Sequence, residues 1–401
     1  MKYSLRKFTV GIAMLAVIVF VLSYATFASY DVKILVDGQP FKCSEPPILL
    51  NGITLVPMRD IFEELGASVS WDEDTRSATA MYNDVSVTIY PDDGSFLKNG
   101  EVVELKVKPV IVNNRIMIPL RAVAEGFGCN VIWSGRDYTV SISTGTVMKT
   151  YFLDCGQADS IFIELPDGKC MLVDSGESSF GETLASFIRG LGYWHIDYVV
   201  ATHPHSDHIG GMAHILKNFS VGTFYMPQVW HNTKTFEKML DALSLNGCEC
   251  KYISRGSTIT DSLCNVEVLS PQENSYVRMN NYSAVVKLEY KGVSTILSAD
   301  AEIEAENEMV NSGIDITADV LKIGHHGSAT SSSEAYLDKI SPRDAVISVG
   351  EGNSYGFPSV LVKARLENRG INIHRTDIQG NICMTTDGYI YVIEGTKKQT
   401  P

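Results

Sequence analysis

The sequence predicts a small α+β repeat followed by an α/β domain, with an apolar segment ahead of both. Three observations carry this prediction. Thr202-His203-Pro204-His205-Ser206-Asp207-His208 follows a short β-branched apolar run and precedes Gly210-Gly211 and a helical pattern. It therefore lies on a loop at the C-terminal end of a strand, where open α/β sheets place their ligands. Residues 31–145 hold an internal repeat with an offset of 62. Residues 8–27 are almost wholly apolar and uncharged, behind Lys2, Arg6 and Lys7.

Bulk properties bound the reading. At 401 residues the chain has room for about two domains. With 45% apolar and 20% charged residues it can build ordinary cores. A net charge of −14 disfavours non-specific binding to nucleic acid or to an anionic membrane surface. Bound metal can still reverse the field inside a cleft. The eight cysteines form no C-x-x-C pair, and Cys248-Glu249-Cys250 is the nearest approach to a metal motif. Most of them, Cys155 and Cys170 included, read as small core residues. Their even number permits disulfides without pairing them.

Residues 1–30 read as a signal peptide or an N-terminal membrane anchor. The basic residues precede the apolar segment, so the remainder is expected outside the cytoplasm, either secreted or held at the cytoplasmic membrane through residues 8–27. In residues 31–145, Pro47, Asn51, Pro57, Arg59, Gly66 and Trp71 recur as Pro109, Asn113, Pro119, Arg121, Gly128 and Trp133. Each copy reads as strand, proline, helix, glycine, then a strand containing tryptophan. The repeated P-x-R and G-x-x-V-x-W resemble the copper amine oxidase N-terminal-like, or stalk, domain of exported bacterial proteins. No copper site is expected, because residues 31–145 contain no histidine. The module is expected to be a binding or spacer domain, with cell-envelope material as its partner.

The pattern changes near residue 147. Residues 150–154 read as a strand, Gly156-Gln157-Ala158-Asp159 as a tight loop, and 160–165 with 170–173 as a hairpin. Asp174 closes that hairpin, and residues 181–192 form an amphipathic helix. In the loop that follows, His203 and His205 can face one way while Asp207 and His208 face another, which suits two adjacent ions. His214 and His231 are isolated and read as surface or core residues. A helix is expected at 235–245, and strands at 284–290 and 293–297. Asp300 ends the latter, where a carboxylate can bridge two metals. A buried strand at 319–323 leads into Gly324-His325-His326-Gly327-Ser328. One of its two histidines, with His326 preferred, completes the second ion's ligands. Ser328, Thr330 and the serines at 331–333 can face a phosphate or cap the next helix. A strand at 346–350, a helix at 361–369 and a closing β-segment from Arg375 complete the chain. Arg375 is either an anion contact or half of a surface salt bridge.

H-x-H-x-D-H, with Val173-Asp174-Ser175-Gly176 ahead of it and Asp300 after it, resembles the metallo-β-lactamase superfamily of metal-dependent hydrolases. Phe152-Leu153-Asp154-Cys155-Gly156-Gln157-Ala158-Asp159, Asn280-Asn281-Tyr282-Ser283 and K-x-G-H-H-G-S at 322–328 narrow the resemblance to the ComEC-like competence hydrolases. It covers residues 147–396 and implies an αββα sandwich holding two divalent ions, zinc first and manganese as the alternative. It implies metal ligation by His203, His205, Asp207, His208, Asp300 and His325 or His326. Asp207, Asp174 and Asp159 are the carboxylates expected to serve the chemistry, with Asp174 holding the histidine loop from behind. Gln157, Asn281, Ser328 and Arg375 are the expected substrate contacts. Two departures stand out. No histidine occurs between His231 and His325, where many members supply a third nitrogen to the first ion. Phe357 stands where the branch has a histidine. The implied activity is hydrolysis by metal-activated water, on phosphodiesters that include extracellular nucleic acid. The alternatives are a carboxylic ester or lactone hydrolase, or a cell-surface binding protein on a degenerate hydrolase fold.

Overall fold

The computed structural model describes residues 32–261, 263–272 and 275–397. The apolar segment 8–27 lies outside the described residues. Among those described, no helix is long and apolar enough to cross a membrane. The chain divides into two compact units, 1–144 and 145–401.

The first unit is β-rich, with thirteen strands and two seven-residue helices among its described residues. In each repeat a strand (Ile53–Pro57 or Arg115–Pro119) runs into a helix (Met58–Glu64 or Leu120–Gly126). Pro57 and Pro119 occupy the cap, with extended backbone at φ/ψ −59/122 and −60/110. Proline suits that place because its missing N–H is not needed there. Gly66 and Gly128 follow the helices at φ +84° and +80°, which residues with a Cβ rarely adopt. The two repeats join through antiparallel pairing of these strands, with Val56 opposite Ile118. Those two positions are each other's repeat counterparts, 62 apart, so a local pseudo-two-fold passes between them. Val56, Ile61, Phe62, Ile118, Val123 and Ala124 are fully buried in the shared core.

The second unit is a four-layer α/β sandwich. One sheet has eight strands, ordered from Glu249–Tyr252 through Ser220–Met226, His195–Val200, Cys170–Val173, Ile161–Glu164, Met148–Phe152 and Ile382–Thr386 to Tyr391–Gly395. The other has seven, from Thr258–Asp261 through Asn265–Ser270, Val285–Tyr290, Val293–Leu297, Val320–Lys322 and Asp344–Ile347 to Asn372–Arg375. The inner faces meet in one apolar core, with Phe152, Ile163 and Val200 from the first sheet against Val266, Leu288 and Val346 from the second. Helices Gly181–Gly190, Met212–Asn218 and Lys234–Asn246 cover the outside of the first sheet. Helices Ile303–Asn311, Glu334–Ile340 and Val360–Glu367 cover the second. Parallel strands covered on both faces are apolar almost throughout, hence the unbroken runs at 170–173 and 345–347. Element ends differ from the sequence expectation by a few residues. The strand His195–Val200, for example, begins with polar residues before its apolar run. All eight cysteines are free.

Candidate metal centre

Four strands deliver the site from their C-terminal ends. Cys170–Val173 and His195–Val200 belong to the eight-stranded sheet, and Val293–Leu297 and Val320–Lys322 to the seven-stranded one. After His195–Val200 the chain passes through 201–205 into a single helical turn, Ser206–Ile209. This stretch carries four of the donors, His203 and His205 ahead of the turn and Asp207 and His208 within it. Asp300 follows the second strand of the hairpin, and His326 lies in the turn Gly324–Gly327. Asp174, Ala299, His325 and His326 all have left-handed backbone, at φ 57°, 46°, 48° and 54°. Strain of this kind at non-glycine residues gathers where a site dictates side-chain direction.

Two groups of donors share one carboxylate. Asp207, His208, His326 and Asp300 form the first group, and His203, His205 and Asp300 the second. His208 Nε2 lies 3.3 Å from Asp300 Oδ1 and 3.8 Å from Asp207 Oδ2. His326 Nε2 lies 3.3 Å from Asp207 Oδ2 and 3.7 Å from Asp300 Oδ1. On the other side, His203 Nε2 lies 3.0 Å from His205 Nδ1 and 3.9 Å from Asp300 Oδ2. Asp300 therefore turns one oxygen toward each histidine group.

Hydrogen bonds behind the rings set which nitrogen is presented. His208 Nδ1 donates to Asp174 Oδ2 at 2.7 Å, leaving Nε2 to face the cluster. Asp174 also accepts from Thr202 N (2.8 Å) and from Thr202 Oγ1 (2.6 Å). Thr202 Oγ1, its proton thus committed, accepts from His203 Nδ1 at 3.2 Å. His326 Nδ1 donates to the Ser348 carbonyl at 3.0 Å. Three of the imidazoles thus point Nε2 inward, the orientation that a ligating histidine takes from its outer partner.

Electrostatics agree with this division. Burial would raise the Asp300 carboxyl, but His208, His326 and His203 hold it well below the usual carboxylate range. Asp207 is likewise lowered, His208 and His326 outweighing its burial. Burial would lower His208, yet Asp300, Asp174 and Asp207 raise it well above the ordinary histidine value. His326 is pushed up to about 9, Asp300 and Asp159 outweighing burial. His203 moves the other way, driven well below 6.5 by burial and by His208.

These residues fit divalent ions. His208 Nε2 and Asp300 Oδ1 are buried with no hydrogen-bond partner, an arrangement that costs free energy unless a third body satisfies both. Nitrogen and carboxylate donors in this number suit zinc-like ions. The two groups are unequal. One has four side chains and the other three, and Asp300 counts in both.

Other expected site residues are placed as follows. His325 stands outside both donor groups, at the rim. Its Nδ1 is 3.3 Å from Glu302 Oε1, and its ring lies 5.8 Å from that of Phe357. Asp159 is buried beneath the cluster against Lys322 Nζ, with its Oδ1 3.4 Å from His326 Nδ1. Gln157 accepts from Gly350 N at 3.2 Å and so ties two loops together. The other three expected substrate contacts each have partners within the protein. Asn281 is buried and turned away, accepting from Glu302 N (3.0 Å) and donating to Glu304 Oε2 (2.7 Å). Ser328 is buried and pairs with Thr330 Oγ1 at 3.0 Å. Arg375 is held by both oxygens of Asp377, at 3.0 and 2.6 Å. Among the serines beyond, Ser333 caps the helix Glu334–Ile340.

Several neighbours of the cluster carried no site expectation. Lys322 is fully buried, and the sign of it was a lysine inside an apolar strand. Glu302 collects Arg278 (2.9 Å), Thr330 (2.8 Å) and His325 beside the site. His231, expected at the surface or in the core, brings its ring to 5.9 Å from that of His205. No local spacing announces that approach. His214, by contrast, makes a peripheral pair with Glu182 at 3.0 Å.

A buried carboxylate shared between two histidine groups, at strand ends of an αββα sandwich, defines the class of protein as one with a candidate divalent-metal centre. Residues 153–351 match the metallo-beta-lactamase superfamily and residues 35–142 match the copper amine oxidase N-terminal domain, so the chain joins a domain of each family. Its second unit thus carries a metallo-β-lactamase superfamily domain, and the chain is related in sequence to competence proteins. ComE operon protein 3 of Bacillus subtilis (strain 168) is 32% identical over 277 residues, 65% of this chain and 35% of that protein. Competence protein ComA of Neisseria gonorrhoeae is 27% identical over 230 residues, 57% of this chain and 30% of that protein. The chain therefore spans about a third of the length of these curated relatives. Among solved structures, the metallo-beta-lactamase fold protein YhfI from Bacillus subtilis aligns with a TM-score of 0.41 at 10% identity, over 57% of this chain and 95% of that one.

Proposed function

We propose that the chain is an exported hydrolase of phosphodiesters that works with two divalent ions, zinc or manganese. The observation that carries this reading is Asp300, buried, with one oxygen toward His208 and His326 and the other toward His203. Asp207, His208 and His326 would hold one ion, His203 and His205 the other, and Asp300 both. Such ions supply Lewis acidity that polarises a phosphoryl oxygen and acidifies water. The chain's own part is positional. Asp174 and Thr202 fix two rings, and Ser348 fixes a third. Asp207, with its side chain 28% exposed, marks the face open to solvent and substrate. His325, backed by Glu302, stands beside Asp300 Oδ2 at 3.8 Å, where its imidazole can donate to a substrate oxygen.

One observation favours a second reading. Tyr355 and Phe357 stack at 5.6 Å beside His325, and Tyr355 is 68% exposed. An aromatic shelf and a net charge of −14 suit the apolar part of a carboxylic ester or lactone better than a polyanion. Assay of the purified chain against bis-(p-nitrophenyl) phosphate, DNA and a lactone separates the two. The expected result is metal-dependent turnover of the phosphodiester, with Asp300→Ala losing most bound metal and nearly all turnover. Metal-free protein, or metal-loaded protein inert on all three substrates, would sink both. Export is read from Lys2, Arg6 and Lys7 ahead of residues 8–27. Protease added to intact spheroplasts tests it, and protection until lysis contradicts it.

A further inference from the structure

Two open cavities lie within the first unit, and the hydrolytic reading uses neither. One, of about 600 Å³, is walled by Pro57, Arg59 and Trp71 of the first repeat and by Asn114, Arg115 and Ile116 of the second. The other, of about 370 Å³, is walled by Pro119, Arg121 and Trp133 of the second repeat and by Gly52, Ile53 and Thr54 of the first. Every residue of one set is its partner in the other displaced by 62: 57 to 119, 59 to 121, 71 to 133, and 52, 53, 54 to 114, 115, 116. The Val56–Ile118 pairing explains this. Antiparallel strands crossing at a pseudo-two-fold carry each repeat's turn across to the helix start of the other. The unit therefore builds the same cleft twice. The segment 104–107 adds to the wall of the second cleft, which is the smaller.

The shared chemistry is an indole beside a guanidinium, with carboxylates also in each wall, Asp60 and Glu73 in the first and Glu104 and Glu125 in the second. Trp71 is 41% exposed, so a large aromatic face is left to solvent in the wall of a cleft. Arg59 and Arg121 are engaged by exposed pairs one helical turn away, with Glu63 at 3.8 Å and Glu125 at 3.2 Å. Pairs of that kind contribute little and yield readily to another anion. Of the five arginines in residues 32–144 (59, 76, 115, 121 and 136), three line the first cleft. An aromatic face suits a ring with an apolar side, and a guanidinium suits a carboxylate. One cleft made twice suits a ligand that offers the same group repeatedly.

We propose that the first unit is a two-site module for an acidic glycan. Each cleft takes one acidic sugar, its ring on Trp71 or Trp133 and its carboxylate on Arg59 or Arg121. The proposal does not depend on the chemistry of the second unit.

Calorimetric titration of the full chain tests it, with a galacturonic acid trimer and a muramic-acid-containing tetrasaccharide as probes and cellotriose as the neutral control. The expected result is two equivalents of at least one acidic probe, with cellotriose at least tenfold weaker. Arg59→Glu and Arg121→Glu should each leave one equivalent, and the double variant none. Both arginines are exposed, so these variants keep the test open if Trp71→Ala or Trp133→Ala fails to fold. Turnover of bis-(p-nitrophenyl) phosphate should be the same in all of them. No binding of either acidic probe, equal binding of cellotriose, or two equivalents retained by the double variant would overturn the proposal.

Discussion

Asp174 makes no contact with solvent and stands behind the donors, yet it sets the direction of two of them. Its carboxylate takes the His208 Nδ1 proton and both protons offered by Thr202, and Thr202 in turn orients His203. Removing such an outer partner typically weakens metal binding by about 10–100-fold. Asp174→Asn should show that loss in competition with a chromophoric chelator while the far-UV spectrum is unchanged. Unchanged affinity would mean that the imidazoles hold their orientation without it. Beneath them, Lys322 and Asp159 form a fully buried ion pair. Burial alone would raise the Asp159 carboxyl, but Lys322 and His326 hold it at about 2. Leaving one charge of a buried pair without its partner costs about 3–5 kcal/mol. Lys322→Met should lose roughly that much in urea denaturation of the metal-free chain. Asp159→Asn added to it should recover most of the loss. A double variant no better than the single would show that the pair is not the source.

At the scale of elements, the site depends on close passage of backbone. A Cβ at Gly210 would collide with Ser178 N and Ser206 O, and one at Gly211 would lie 2.5 Å from Ser175 O. The turn carrying Asp207 and His208 is thereby pressed against the loop that follows Asp174, and Ser175 N donates to the His208 carbonyl at 2.7 Å. Gly210→Ala must displace backbone rather than a side chain. It should lower both the melting temperature and the metal content, whereas Gly190→Ala, with nothing within 4 Å, should change neither. Equal behaviour of the two variants would refute the close-passage argument. This scale also shows what could be read from the chain alone. The loop 202–208 announced itself because three histidines and one aspartate sit within six consecutive residues at the end of a β-branched run. Asp300 announced itself by the same strand-end position. Asn281, Ser328 and Arg375 show that a polar residue near a site can equally be spent on the loops that build it, and for Arg375 the salt-bridge alternative is the one realised. Their partners, Glu304, Thr330 and Asp377, are contacts that residue type does not disclose. His231 was passed over for the opposite reason. It approaches His205 only through the fold, from a different loop.

At the scale of the whole second unit, the donors come from two different sheets. In the metal-free chain the two sets face one another as charged pairs, Asp207 and Asp300 against His208 and His326, and that makes its stability depend on pH. His326 is raised to about 9 from the usual 6.5. A raised histidine contributes stability that is full below the unfolded value and is lost as pH rises through the folded one. In chelator, the urea midpoint should therefore fall between pH 7 and pH 9.5, and His326→Gln should flatten part of that fall. An identical slope in the variant would assign the loss to other groups.

The split origin of the donors has a mechanical consequence. His203, His205, Asp207 and His208 hang from one layer, and Asp300 and His326 from the other. Between those layers lie apolar packing and a few polar ties, Asp159 to Lys322 and Gln157 to Gly350 among them. An ion gripped by both sets of side chains acts as a rivet driven through the edge of the sandwich. Its binding free energy is then also the energy that locks the register of one layer against the other. Loss of the ion would leave that register to the packing and the polar ties alone.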